Sequence, residues 1–240
     1  MRLDNFLVKN NFAQSRTKAQ EYIKNMLVSI DGKIIKKSSF IVDDSCDVVV
    51  AKHDNYVSRS AHKLNDFLKE LDIDLKGLDG LDIGSSTGGF TQVLLEKDVA
   101  SVCAVDVGSN QLHKSLKDDS RVKSFESCDI RDFKISKKFD IVVSDVAFIS
   151  LSHILNDVDR LAKGKIILLF KPQFEVGKNV KRDKNGVVLD KKAIDRAMLK
   201  FEDDCLLKGW SLVKKLPSSL KGKEGNQEWC YFFEKGASDE

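Results

Sequence analysis

From residue 78 onward, apolar runs of strand length alternate with stretches of helical periodicity. Leu78 to Ile83 suits a buried strand, and Phe90 to Lys97 (FTQVLLEK) restarts with helical spacing, so a strand-to-helix turn falls between them. Further strand-like runs follow: VASVCAVDVG with its strand ending in Asp106, RVKSFESCD ending at Asp129, FDIVVSD ending at Asp145, and KIILLF ending at Lys171. Strands alternating with helices predict an α/β domain with a doubly wound, mostly parallel sheet. The first 50 residues have a different rhythm. Arg2 to Lys9 predicts a short amphipathic helix, and Ser15 is placed to cap a second, SRTKAQEYIKN, with Ala19, Tyr22 and Ile23 on its buried side. VSIDGKII sets Asp31-Gly32 between β-rich runs, a strong hairpin signal, and SFIVDDSCDVVV adds more strand. The pattern divides the chain into a small α+β unit over 1–50, a polar linker AKHDNY over 51–56 and a large domain over 57–240.

Composition adds mostly exclusions. A chain of 240 residues, 42% hydrophobic, can bury a real core. Its five cysteines are scattered, odd in number and never in C-x-x-C, which argues against a disulfide framework and a zinc site; Cys103 and Cys128 read as inert thiols in or beside strands. His53, His62, His113 and His153 lack metal-ligand spacing. The N-terminus opens on a charged pattern in place of an apolar leader, and the longest wholly apolar stretch, Ile166 to Phe170, is far below a membrane span. A soluble, cytoplasmic protein without metal or membrane span is expected.

The net charge of +3 conceals two basic zones. Lys9 to Lys37 holds seven bases against two acids, a local +5, and Arg160 to Lys200 holds twelve against four, a local +8. Either could be a solvated face; together they suggest a polyanionic partner, since phosphate contacts supply most non-specific nucleic-acid affinity.

The candidate chemistry sits in the turn LDIGSSTGGF. A dinucleotide fingerprint needs its first two glycines two apart, whereas Gly84, Gly88 and Gly89 stand four and one apart. The turn also lacks a Walker lysine, and its acids would repel a pyrophosphate. Asp106 lies about two dozen residues beyond Asp82, where an acid suits a ribose diol. A cationic nucleoside, S-adenosylmethionine, therefore suits this edge better than NAD or ATP. The cradle is expected to comprise Asp82, Gly84, Ser85, Ser86, Thr87, Gly88, Gly89 and Phe90, then Asp106 and Val107, with Asp129 and Asp145 at the next strand ends. With these residues in these roles the chain resembles a class I, Rossmann-like methyltransferase.

Two family resemblances sharpen the reading. In the small unit, R-L-D-x-F-L, S-R-T-K-A-Q and V-S-I-D-G-K resemble the RNA-binding domain named after ribosomal protein S four. That resemblance implies RNA contacts from Arg2, Arg16, Lys18, Lys24 and Lys33. Over the whole chain, SRSAHKL (58–64), DIGSSTGGF (82–90), SDVAFISL (144–151), FKPQFEVGK (170–178) and GKEGNQE (222–228) resemble, in order, the TlyA or hemolysin A family. That family joins the same RNA-binding domain to an FtsJ-like ribosomal RNA 2'-O-methyltransferase.

The resemblance implies a catalytic tetrad of Lys63, Asp145, Lys171 and Glu228. Glu224 lies four residues before Glu228, but the family's glutamate follows G-N-x. It also implies ribosomal RNA within ribosomal subunits as partner and cytidine as target base. Shorter family members are associated with the large subunit alone, and only GASDE follows Lys235, so large-subunit RNA is expected, small-subunit RNA being the alternative.

The tetrad is chemically reasonable. A ribose 2'-hydroxyl is a weak acid and poor nucleophile, so transfer needs a proton acceptor, a fixed in-line approach and exclusion of water. Lysine serves as acceptor only when neutral, a state that a second nearby ammonium favours, while the two carboxylates position both amines. Phe148, Gln173 and Phe174 could stack on or read a splayed nucleotide, or simply pack their loops. Two other classes stay open: a ribosome-assembly factor with an inactive methyltransferase fold, and a cytolysin.

Overall fold

The computed structural model describes residues 1–43, 45–50 and 56–236. The expected linker over 51–56 lies outside the described residues except for Tyr56, as do residues 237–240. Contacts divide the chain into two compact units, Met1–Asn55 and Tyr56–Glu240.

In the small unit two helices, α1 (Leu3–Lys9) and α2 (Arg16–Lys24), accompany three strands, β1 (Val28–Ile30), β2 (Lys33–Ile34) and β3 (Val48–Val50). Ser15 caps α2, its side chain accepting from Lys18 N. The sheet order is β2-β1-β3, both pairings antiparallel. Asp31 and Gly32 both take positive φ, +49° and +76°, as a tight hairpin turn requires. Ala19 and Ile23 are buried with Leu3, Leu7 and Val28, and Tyr22 packs half-buried against them. SFIVDDSCDVVV yields less strand than its composition suggests: Asp43 Oδ1 accepts from Ser45 N at 2.9 Å, folding a turn, and only Val48–Val50 pairs with β1.

The large unit begins with α3 (Ser60–Lys69) and β4 (Asp79–Ile83), then α4 (Gly89–Glu96), β5 (Ser101–Val105), α5 (Lys114–Lys117) and β6 (Val122–Phe125). Next come β7 (Phe139–Ser144), α6 (Leu155–Leu161), β8 (Ala162–Phe170) and the short α7 (Pro172–Glu175). The last elements are α8 (Lys191–Leu206), β9 (Trp210–Pro217) and β10 (Trp229–Lys235). The seven strands form one sheet in the order β6-β5-β4-β7-β8-β10-β9. β4 to β8 are parallel, and β10 enters antiparallel between β8 and β9.

Both faces of this sheet are covered, so its central strands are mostly apolar on both sides, with Asp82 and Ser144 buried among them. Along β8, Ile166, Leu168 and Phe170 face one cluster while Ile167 and Leu169 face the other. The same alternation places Cys103 and Val105 of β5 on one side, Val102 and Ala104 on the other. The strand order reverses direction around β4, so the carboxyl ends of β4, β5 and β7 open a crevice.

Candidate active site

Asp106, Asp145 and Lys171 each follow the last residue of a strand, β5, β7 and β8 respectively. Asp129 lies four residues beyond β6, and Asp82 sits inside β4 with its side chain fully buried. Pro172, which ends β8, opens α7 in the first-turn position proline favours.

The turn after β4 is held from two sides. Asp106 accepts from Ser86 N at 2.8 Å through Oδ2 and from Gly108 N at 2.7 Å through Oδ1, joining the first two strand-end loops. Gly84 has φ +78°, and a Cβ there would lie 3.0 Å from Val146. Gly88 has φ +97°, and a Cβ would meet Leu116 at 2.2 Å. Gly88 and Gly89 line neither cavity described below; Gly88 lets Leu112 and Leu116 pack closely, and Gly89 stands against Ser58 and Ser60. Ser85, Thr87 and Phe90 do line one.

Two cavities meet at this edge. The smaller, about 270 Å³, is bounded by Asp106, Val107, Cys128, Asp129 and Ile130. Among the described residues three carboxylates line it, from Asp106, Asp129 and Asp145, and no lysine or arginine does. Asp129 is held by Arg131, at 2.9 and 2.6 Å, which keeps its carboxyl below the ordinary range. Cys128 borders this cavity instead of being inert core. The larger cavity, about 740 Å³, holds Lys63, Asp145, Lys171 and Glu228 together, with Phe148 and Phe174 also in its wall. Gly84, Ser86, Asp145, Ala147 and Phe148 line both.

Within the larger cavity each lysine faces its own carboxylate. Lys63, on α3, donates to Glu228 Oε2 at 2.5 Å, and both residues are buried. Lys171 Nζ lies 2.6 Å from Asp145 Oδ1 as an ion pair, but its aligned hydrogen bond goes to the Asp145 main-chain oxygen at 3.2 Å. Gln173 Nε2 donates to Glu228 Oε1 at 3.3 Å.

Asp82 Oδ2 accepts from Thr91 N at 2.9 Å and Thr91 Oγ1 at 2.6 Å, while its Oδ1 is buried without a hydrogen-bond partner. Burial pushes this carboxyl up to about 7, against the two hydrogen bonds from Thr91. Asp82 lines the larger cavity, whereas Asp106, Asp129 and Asp145 line the smaller; an unsatisfied buried carboxylate oxygen in one and an acidic wall in the other both suit a cationic ligand better than an anionic one. These residues therefore fit S-adenosylmethionine. Among the described residues no group of three or more His, Cys, Asp or Glu could hold a metal ion, and no helix is long and apolar enough to cross a membrane.

The basic candidates of the small unit have unequal surroundings. Arg2 and Arg16 both pair with the buried Asp4, at 3.1 and 3.0 Å, leaving their side chains 42% and 56% exposed. Those arginines, Arg2 first, hold Asp4 far below the usual carboxylate range. Lys18 pairs with Glu21 at 2.9 Å, and its Nζ lies over the Tyr22 ring at 5.6 Å. Lys24 and Lys33 are exposed.

Some residues of the site carry no sequence signal of their own. Gln111 accepts from Ser86 Oγ at 3.0 Å and lines the smaller cavity. Arg182 reaches the carbonyls of Gly177, Val180, Lys178 and Gln173 at 2.8 to 3.3 Å, shaping the loop after α7. In the sequence it was one base among twelve. Asn226 Oδ1 accepts from Val188 N at 3.0 Å, tying that loop to the segment preceding Glu228; the G-N-x-E spacing was its only signal.

Strand order, carboxylate-bearing strand ends and a glycine turn define a methyltransferase fold. Residues 56–235 match the FtsJ-like methyltransferase family, and residues 1–49 match the S4 domain. The chain is 45% identical to the 23S rRNA (cytidine-2'-O)-methyltransferase TlyA of Campylobacter jejuni, over 97% of this chain and 99% of that protein. It is 39% identical to the 16S/23S rRNA (cytidine-2'-O)-methyltransferase TlyA of Mycobacterium tuberculosis, over 95% and 87%. A solved structure from Streptococcus thermophilus that carries a hemolysin name superposes with a TM-score of 0.74 at 30% identity, covering 99% of this chain and 89% of that one. The chain belongs to the TlyA family of FtsJ-like methyltransferases.

Proposed function

We propose that the protein transfers the methyl group of S-adenosylmethionine to the 2'-hydroxyl of a cytidine in ribosomal RNA. The observation that carries this reading is the shared wall: Asp145 borders both the smaller cavity, whose described lining is acidic and without bases, and the larger cavity, where Lys63, Lys171 and Glu228 come together. A donor held in the first is thereby set against an acceptor held in the second. S-adenosylmethionine supplies an electrophilic methyl on a sulfonium. Asp106 would receive its ribose diol, and Asp145, in the shared wall, and Asp82, in the larger cavity, would favour its positive charge.

Lys63 and Glu228 fix the far wall of the acceptor chamber through their buried pair. Lys171, held at the edge of β8 by Asp145, takes the proton of the 2'-hydroxyl, the oxygen that would receive the methyl group. Only the neutral amine can do this, so Lys171, ion-paired with Asp145, must release its own proton before it accepts that of the hydroxyl; Asp145 orients it. The small unit supplies affinity for the RNA backbone through Lys18, Lys24 and Lys33 with Arg2 and Arg16. The Campylobacter relative's name supports large-subunit RNA as substrate, the Mycobacterium relative's both subunits. Such a substrate puts the enzyme's work in the cytoplasm.

The test is methyl-labelled S-adenosylmethionine incubated with separated ribosomal subunits, the RNA then digested to nucleosides. Label in 2'-O-methylcytidine is the expected result. Label on a base, or no transfer to RNA, overturns the reading.

A further inference from the structure

Phe148 stands on left-handed backbone, φ +66°, and the residue is 92% exposed. A bulky residue adopts that conformation only where its surroundings enforce it. Two residues further on the chain is pinned. Glu175 Oε2 accepts from Ser150 Oγ at 2.5 Å, and Oε1 accepts from Leu151 N at 2.9 Å. Leu151 is itself buried in the core and begins a 3-10 turn, Leu151–His153.

Glu175 closes α7, the helix that carries Gln173 and Phe174, and lines neither cavity. Its carboxylate thus joins the two segments that present rings to the larger cavity, and the Phe148 and Phe174 rings lie 5.5 Å apart between centroids. A turn cap by itself would not require an exposed phenylalanine on unfavourable backbone immediately before it.

We propose that Glu175 is a positioning residue for the acceptor nucleotide: by holding Ser150 and Leu151 it keeps Phe148 turned outward beside Phe174, where the two rings receive the target base. The inference rests on the proposed reading of those rings as RNA contacts. Glu175 acts through Phe148 and touches no substrate.

The test is steady-state methylation of ribosomal subunits by the full chain carrying F148A, E175A, E175Q, S150A or the E175A/F148A pair, with cofactor affinity measured alongside. F148A and E175A should each raise KM for the subunits roughly tenfold, the size of one lost base-stacking contact, with cofactor affinity unchanged. The pair should be no worse than F148A alone, because both changes remove the same contact. E175Q keeps an acceptor for Leu151 N and should recover most of the loss. If E175A does not fold, S150A, which removes one of the two bonds, should show a smaller rise in KM. An unchanged KM for E175A while F148A is impaired overturns the proposal, as does an E175A effect that multiplies that of F148A. An unchanged KM for F148A overturns the reading of the ring and the proposal with it.

Discussion

Lys63 and Glu228 lie 165 positions apart in the chain yet meet at 2.5 Å, both buried. The pair ties α3 to the start of β10 across one wall of the larger cavity. Removing one partner leaves an unpaired buried charge, which costs about 3–5 kcal/mol, whereas replacing both by apolar groups of similar volume is close to neutral. K63A should therefore lower the denaturation midpoint strongly, and K63M/E228L should restore most of it while leaving methyl transfer abolished. Denaturant unfolding and activity of the two variants, measured together, separate the pair's structural contribution from its chemical one.

Asp106→Ala should weaken S-adenosylmethionine binding roughly tenfold or more, the worth of one good hydrogen bond to a charged group at about 1.5–3 kcal/mol. The same carboxylate holds Ser86 N and Gly108 N, so the substitution also loosens the glycine turn. Calorimetry that returned an unchanged dissociation constant would remove Asp106 from the site.

Asp82 sets a pH dependence. Its folded-state value of about 7 stands above the ordinary 3.8. Below about pH 4 the carboxyl is protonated whether the chain is folded or not; from there to about 7 only the unfolded chain releases the proton, so this group's contribution falls as pH rises and then levels off. The melting temperature of wild type relative to Asp82→Asn should decline across that window. A cationic cofactor favours the ionised form, so its binding should release a proton near pH 7 and tighten as pH rises. Calorimetry in two buffers of different ionisation enthalpy measures that release, and equal heats would contradict it.

Arg16 and Lys18 should part company. Lys18→Ala is expected to reduce the salt slope of RNA binding by about one for a lost phosphate contact and to leave stability nearly unchanged. Arg16→Ala should lower RNA affinity and the stability of the small unit together, because Asp4 is fully buried and loses one of its two guanidinium partners. Unfolding curves set beside filter binding at several salt concentrations distinguish the two outcomes.

The fold was legible where local chemistry and tertiary structure agree. Buried parallel strands carry short apolar runs, such as VCAV in β5, IVV in β7 and IILLF in β8, so these strands announced themselves, and the Asp31-Gly32 hairpin follows from its turn residues. Partnerships between distant residues were not legible. Gly88 looks the same in a sequence whether it admits a ligand or Leu116, and the structure gives it Leu116. Arg16 reads as a free base until Asp4, twelve residues earlier, is found beneath it. The motif context marked all four tetrad positions, but nothing in their spacing told which lysine would face which carboxylate.

The central claim is that Lys171 accepts the proton of a ribose 2'-hydroxyl. Single-turnover methyl transfer by wild type, K171A and K171R, with cofactor affinity measured in parallel, tests it most directly. K171A should lose roughly 10² to 10⁴ in rate with cofactor affinity nearly unchanged, the range for a positioned acid or base. K171R should recover little, because a guanidinium keeps its proton at any usable pH although it retains the charge. A K171R variant nearly as fast as wild type would contradict the account, leaving Lys171 an electrostatic anchor and making Asp145 the proton acceptor.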